Sequence, residues 1–348
     1  MRIEKKVIGK LEKCYALAPF FYKGKECFLA ASEKEAECRI YDMEGNMLEV
    51  VWDSPGGVMT MVQNPDSGGQ FLATRRFYSP NDSSEASIIT ASPRKTGGWE
   101  IQTLTKLPFV HRFDILRNQG KKYLIACTLK SGHKYKDDWS EPGKVYGAEL
   151  PFDLSQCHNG HPLKLQVIKD SMLKNHGYCK ICRNGEEKGI IACHQGIYEV
   201  SPPSEDKDMW RIERLLETPA SEAFFADIDQ CGEEELFLFS PFHGDKLEVY
   251  KKKNGRFRKI YEHPQKLEFL HAAGKGYIGS TPAVFIGHRK GDMDLLALIS
   301  DGNGELRTCT LDHGCGAANV LYRHTQGRDI LIAANREIDE LAMYYLNA

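Results

Sequence analysis

The sequence predicts an all-β fold, a seven-bladed β-propeller, and three observations carry that expectation. First, one structural unit recurs along the chain. The segments FVHRFDIL, KNHGYCKI, SEAFFADI, EFLHAAGK and CGAANVLY are each followed, after a turn, by an apolar run: KYLIACTL, KGIIACHQ, ELFLFSPFHGD, PAVFIGHRKGD and DILIAANRE. Second, the apolar runs are short, rich in β-branched and aromatic residues, and bounded by turn residues such as Glu44-Gly45-Asn46, Thr96-Gly97-Gly98, Lys253-Asn254-Gly255 and Asp301-Gly302-Asn303-Gly304, which is hairpin chemistry rather than helix periodicity. Third, self-similarity at roughly 45–50 residues with little helical signal is the mark of a radial β-repeat.

The units run in order. Residues 15–53 (CYALAPFF, then ECFLAASE) form the first blade and 57–108 (VMTMVQNP, then QFLATRRF) the second; both are weaker copies. The third spans 109–173, the fourth 174–218, the fifth 220–267 and the sixth 268–314. The last, 315–348, supplies only GAANVLY, DILIAANR and LAMYYL, one strand short. The N-terminal KKVIGKL alternates apolar and polar residues and has no other partner, so it is expected to close the ring and remove the exposed sheet edges. The whole of 1–348 then reads as one propeller domain. The third blade carries an insertion at 131–147, SGHKYKDDWSEPGKVYG, too polar for core but with Tyr135 and Trp139 among its charges; a lid is expected there.

Composition narrows the function classes. A net charge of -2 leaves no global field to recruit nucleic acid or an anionic membrane. No apolar stretch is long enough to span a bilayer, and the charged N-terminus does not read as a signal peptide. Eleven cysteines, an odd number and mostly inside apolar runs, fit buried thiols in a reducing compartment. A cytoplasmic protein acting on a small substrate is expected, with its oligomeric state left open.

Propeller geometry decides which residues meet. Starts of first strands and ends of second strands share one rim. Of twelve histidines, seven fall at these positions: His111, His176 and His271 at first-strand starts, and His133, His194, His243 and His288 at or beyond second-strand ends. The same rim collects Arg75, Arg76, Lys130, Gln195, Arg289, Asn319, Asn335 and Arg336. Imidazoles converging on an axis suit a divalent transition metal, which acts as a Lewis acid on a carbonyl or carboxylate. A histidine off the metal can move a proton, arginines hold carboxylates bidentately, and an aromatic face suits sugar C–H surfaces. His111, His176 and His271 are therefore the candidate metal ligands, and His133, His194 and His243 the candidate base and acid. Arg75, Arg76, Lys130, Gln195, Arg289, Asn319, Asn335 and Arg336 are candidate substrate contacts, with Trp139 as platform. Each histidine also has a plain structural reading, and Arg75, Arg289 and Arg336 could pair with carboxylates such as Glu337.

Other motifs carry less. Cys179-x-x-Cys182 lacks a second ligand pair, and its two thiols would point to opposite faces of a strand. Asp227-Ile-Asp229-Gln-Cys-Gly232 echoes a calcium loop, but Gln230 and Cys231 replace the alternating ligands. No nucleophile elbow, phosphate loop or dinucleotide fingerprint occurs.

The runs HRFDIL…YLIACTLKSGHKYKDDWSEPG, ADIDQCGEEELFLFSPFHGDKLEVYK, FLHAAGKGYIGSTPAVFIGHRKGDMDLL and GAANVLY…ILIAANREIDELAMYYL resemble FG-GAP/VCBS-type seven-bladed propellers. Among these they are similar to the propeller domain of aldos-2-ulose dehydratase and, in architecture, to rhamnose–glucuronate lyases. The resemblance implies a metal-containing lyase or dehydratase acting by β-elimination on a keto-sugar or uronide, with Zn, Mn, Mg or Ca as the ion. A non-catalytic propeller that binds a glycan or protein on the same face, and a sugar isomerase or epimerase, are the alternatives.

Overall fold

A computed structural model describes residues 2–204, 209–301 and 304–347. Its strands form seven four-stranded antiparallel sheets. Six are consecutive in sequence, covering residues 14–52, 61–106, 110–172, 177–216, 222–262 and 270–312. The seventh is composite: three strands within 317–347, then the N-terminal strand Arg2–Lys10 paired antiparallel to Glu340–Asn347 on the outer edge. Chain start and chain end thus close the ring in one blade, as the unpaired KKVIGKL predicts. Lys5 reinforces the join with ion pairs to Asp312 at 2.7 Å and Glu340 at 2.8 Å.

The second strand of each blade explains the continuous apolar runs. Glu235–Ser240 is buried at every position, and Lys25–Ser32, Lys121–Thr128 and Glu186–Cys193 are buried beyond their first residues. Each sheet is sandwiched between two neighbours, so both faces of an inner strand meet core and alternation disappears. Outer strands differ; Arg256–Glu262 is mostly exposed and polar. The core is a ring of inter-blade clusters, such as Phe237, Phe239 and Val249 of blade five with Leu270, Val284 and Ile286 of blade six.

The third blade departs from expectation. Residues 143–147, expected in the insertion, belong to the strand Gly143–Glu149, because Lys-Val-Tyr-Gly alternates and Val145 is fully buried. The loop before it is pinned rather than loose: the Asp138 carboxylate accepts from the Lys134 and Ser140 amides, and buried Lys130 donates to the Asp138 carbonyl at 2.9 Å. A second excursion at 150–165, with a short 3₁₀ turn at Leu154–Gln156, had no clear signal.

Candidate functional site: a histidine girdle on the axis

The inner strands of blades one, three, six and seven share one irregularity. The ladder skips a residue between Cys14 and Ala16, Val110 and Arg112, Leu270 and Ala272, and Ala317 and Asn319. A bulge re-aims the side chain of the extra residue. Here those residues are Tyr15, His111, His271 and Ala318, and the aromatic ones meet on the axis.

A carbonyl belt fixes their orientation. Thr60 Oγ1 donates to the His111 carbonyl at 3.0 Å, His111 Nδ1 to the His176 carbonyl at 3.3 Å, and His176 Nδ1 to the Ser221 carbonyl at 3.0 Å. His271 Nδ1 donates to the Ala318 carbonyl at 2.7 Å. A carbonyl oxygen only accepts, so Nδ1 carries a proton in all three rings, and the lone pair of a neutral ring then lies on Nε2. His176 Nδ1 also lies 3.1 Å from Glu222 Oε1, which pairs with Arg112 at 3.2 Å.

The Nε2 atoms face one another. His243, on the loop after the strand Glu235–Ser240, brings its Nε2 to 3.3 Å from that of His176. His176, His243 and His271 each offer a ring nitrogen within 4.8 Å of the others. His111 stacks beside His176 at 4.3 Å between centroids but falls outside that triad. Tyr15 bridges the gap, its hydroxyl 3.1 Å from His271 Nε2 and 3.4 Å from His111 Nε2.

Electrostatics disfavour charge on His111, His243 and His271. Burial, then the His176 ring and Arg112, pull the His111 pKa well below the usual imidazole value. His271 is lowered by burial and Arg289, and His243 by burial and His176. Imidazole nitrogens converging on one point suit a metal, and the Nδ1 hydrogen bonds of His176 and His271 are the kind of outer contact that orients such ligands. The donor set therefore fits a divalent ion.

Aromatic walls cover one side. Phe242 stacks on His243 at 4.0 Å and meets Trp139 edge-on at 5.4 Å, while Phe269 lies 4.4 Å from His243. A cavity of about 240 Å³ reaches the girdle along the inner strands. Its lining draws on all seven blades, including Leu17, Thr60, Arg112, Lys180, Glu222, His271 and Asn319.

The remaining sequence candidates are distributed differently. Arg289 and Arg336 both pair with Glu337, at 2.7 and 2.9 Å, and Arg336 also with Glu33; their forks are occupied by protein carboxylates. Arg75 donates to the Ser54 and Pro55 carbonyls, and Arg76 is exposed at a positive φ of 63°. Asn335 is buried and donates to Glu340 and Tyr344 within its own blade. Gln195 accepts from the Leu173 amide, and neighbouring His194 is exposed. His133 packs edge-on against Phe109 at 5.7 Å. Lys130 is fully buried under Trp139, 4.4 Å from its ring, and burial lowers its pKa. Asn319 lines the axial cavity. Asp227, Asp229 and Cys231 do cluster at the surface, but the Lys251 ammonium sits on Asp229 at 2.6 Å and on Cys231 at 3.1 Å.

Sequence reasoning missed Tyr15, Arg112 and Glu222. Tyr15 was findable: it holds in CYALAPFF the place that His111 holds in VHRFDIL.

No protein-family model matches the chain, and no curated protein matches it in sequence, so the FG-GAP/VCBS likeness rests on the motifs alone. Solved structures share the fold. A virginiamycin B lyase from Staphylococcus aureus aligns with a TM-score of 0.60 at 12% identity over 99% of both chains. A streptogramin B lyase aligns at 0.59 and 11%, over 99% of this chain and 98% of the other. The Dos1 propeller aligns at 0.56 and 10%, over 96% and 77%. These likenesses concern architecture; two of the three neighbours are named as lyases. Among the described residues no helix is long and apolar enough to cross a membrane.

Proposed function

We propose that this propeller is a metal-assisted lyase, eliminating water or an alcohol from a keto-sugar or uronide at the axial girdle. One observation carries the reading: three imidazoles from separate blades, His176, His243 and His271, bring ring nitrogens within 4.8 Å of one another. A divalent metal held there would polarise the substrate's carbonyl or carboxylate oxygen and stabilise enolate-like charge. His176 is oriented for this by the Ser221 carbonyl and by Glu222. Phe242, Phe269 and Trp139 shield the imidazoles from water on one side, and the cavity admits substrate from the other. Glu222, lining that cavity, is the residue assigned to accept the proton next to the carbonyl and to return it to the departing oxygen as the carbon–oxygen bond breaks, so that water or the alcohol leaves neutral. Lyase names among the structural neighbours agree with this class of reaction.

The test combines elemental analysis with a panel of keto-sugars and uronides, followed by the ultraviolet absorbance of an unsaturated product. Stoichiometric metal and turnover are expected, with His176→Ala losing most of the metal and at least about 100-fold in rate. A metal-free protein, or full activity in His176→Ala, contradicts the proposal.

A further inference from the structure

We infer that Tyr15 is a positioning residue that holds His111 out of the metal's ligand set and so leaves a coordination position open for substrate. The inference rests on the metal reading above. Four imidazoles crowd the axis, and four would close a tetrahedral centre; open catalytic sites keep three protein ligands and one exchangeable position. What separates His111 from the other three is the Tyr15 hydroxyl, seated between His111 Nε2 at 3.4 Å and His271 Nε2 at 3.1 Å.

Proton counting gives the hydroxyl its role. His111 and His271 both commit Nδ1–H to backbone carbonyls, so both Nε2 atoms present lone pairs to Tyr15. The hydroxyl has one proton and can satisfy one of them. Once the His271 lone pair is given to a metal, that proton turns to His111. His111 then has both nitrogens engaged, Nδ1 on the His176 carbonyl and Nε2 on Tyr15, and no lone pair left to coordinate. Metal uptake and the Tyr15–His111 hydrogen bond are therefore coupled. Without the hydroxyl, the space between the two nitrogens is vacated and His111 Nε2 is left buried without a donor.

Cobalt(II) reports coordination directly. The wild-type protein loaded with Co²⁺ should show a visible spectrum that shifts on adding azide, the sign of an exchangeable position. Tyr15→Phe should bind Co²⁺ about tenfold more tightly, show more intense tetrahedral bands and lose the azide response. Adding His111→Ala to Tyr15→Phe should restore the wild-type spectrum and response. His111→Ala alone, which also serves if Tyr15→Phe fails to fold, should leave the wild-type spectrum unchanged. A Tyr15→Phe spectrum identical to wild type, a double variant that keeps the single variant's spectrum, or a changed spectrum in His111→Ala alone overturns the inference. Wild-type protein that takes up no cobalt removes the metal reading itself, and this inference with it.

Discussion

Imidazoles are costly to charge where these sit, and the cost sets a pH dependence. His111, His243 and His271 have folded pKa values well below the ordinary one, chiefly through burial, whereas in the unfolded chain they titrate near about 6.5. Below that pH the unfolded state binds more protons than the folded one, so stability must fall as pH falls. The contribution is fully present above about pH 6.5 and is lost progressively toward the folded pKa values, at up to about 1.4 kcal/mol per pH unit for each ring. Urea unfolding of metal-free protein at about pH 7.5 and 5.5 should show a clear drop in midpoint at the lower pH. Replacing His243 by Gln should flatten the difference; an unchanged pH dependence would argue that its ring is not buried neutral. The rim arginines teach a complementary point. Arg289 and Arg336 converge on Glu337, so the carboxylate that a sequence reading assigns to a substrate is supplied by the protein.

Within the blade, the bulge is the device that turns a repeat into a site. A regular ladder would pair Tyr15, His111 and His271 with the second strand; the skipped register frees them instead for the axis. Blade four reaches the same end through close packing. Gly177, next to His176, sits where an added Cβ would lie 2.5 Å from the Ser221 carbonyl oxygen and 2.8 Å from the Glu222 Cα. These are the blade-five groups that His176 Nδ1 engages. Gly177→Val should therefore push blades four and five apart, costing about 1–3 kcal/mol by overpacking, and should release His176 from its carbonyl. Thermal unfolding would read the first effect and metal content the second. A variant as stable as wild type with undiminished metal uptake would show that this close approach does not hold His176 in place.

Across the whole molecule, the architecture was legible and the chemistry only partly so. Blade boundaries follow from apolar runs and turn residues, because the second strands are covered on both faces and many hairpins carry a glycine or asparagine at the turn, such as Gly45, Gly97, Gly120, Gly185 and Gly255. Closure by the N-terminal strand followed from a count of three strands in the last unit. The axial meeting of His111, His176 and His271 followed from their common place in the repeat. His243 was expected on the rim as an acid or base. What places it against His176 is the backbone of its loop, left-handed at His243 itself with φ 48°, and spacing does not encode that. Tyr15 occupies the same place in its repeat as His111, but its residue type masked that position, since a tyrosine in an apolar strand reads as core. Glu222 was hidden because its partners, Arg112 and His176, come from two other blades. The central claim is that separate blades build one metal centre on the axis. Anomalous diffraction from crystals grown with zinc tests it most directly: a single strong peak is expected about 2.0–2.1 Å from a ring nitrogen of each of His176, His243 and His271. No peak among those three rings, or one only at the surface beside Asp227 and Asp229, would contradict it.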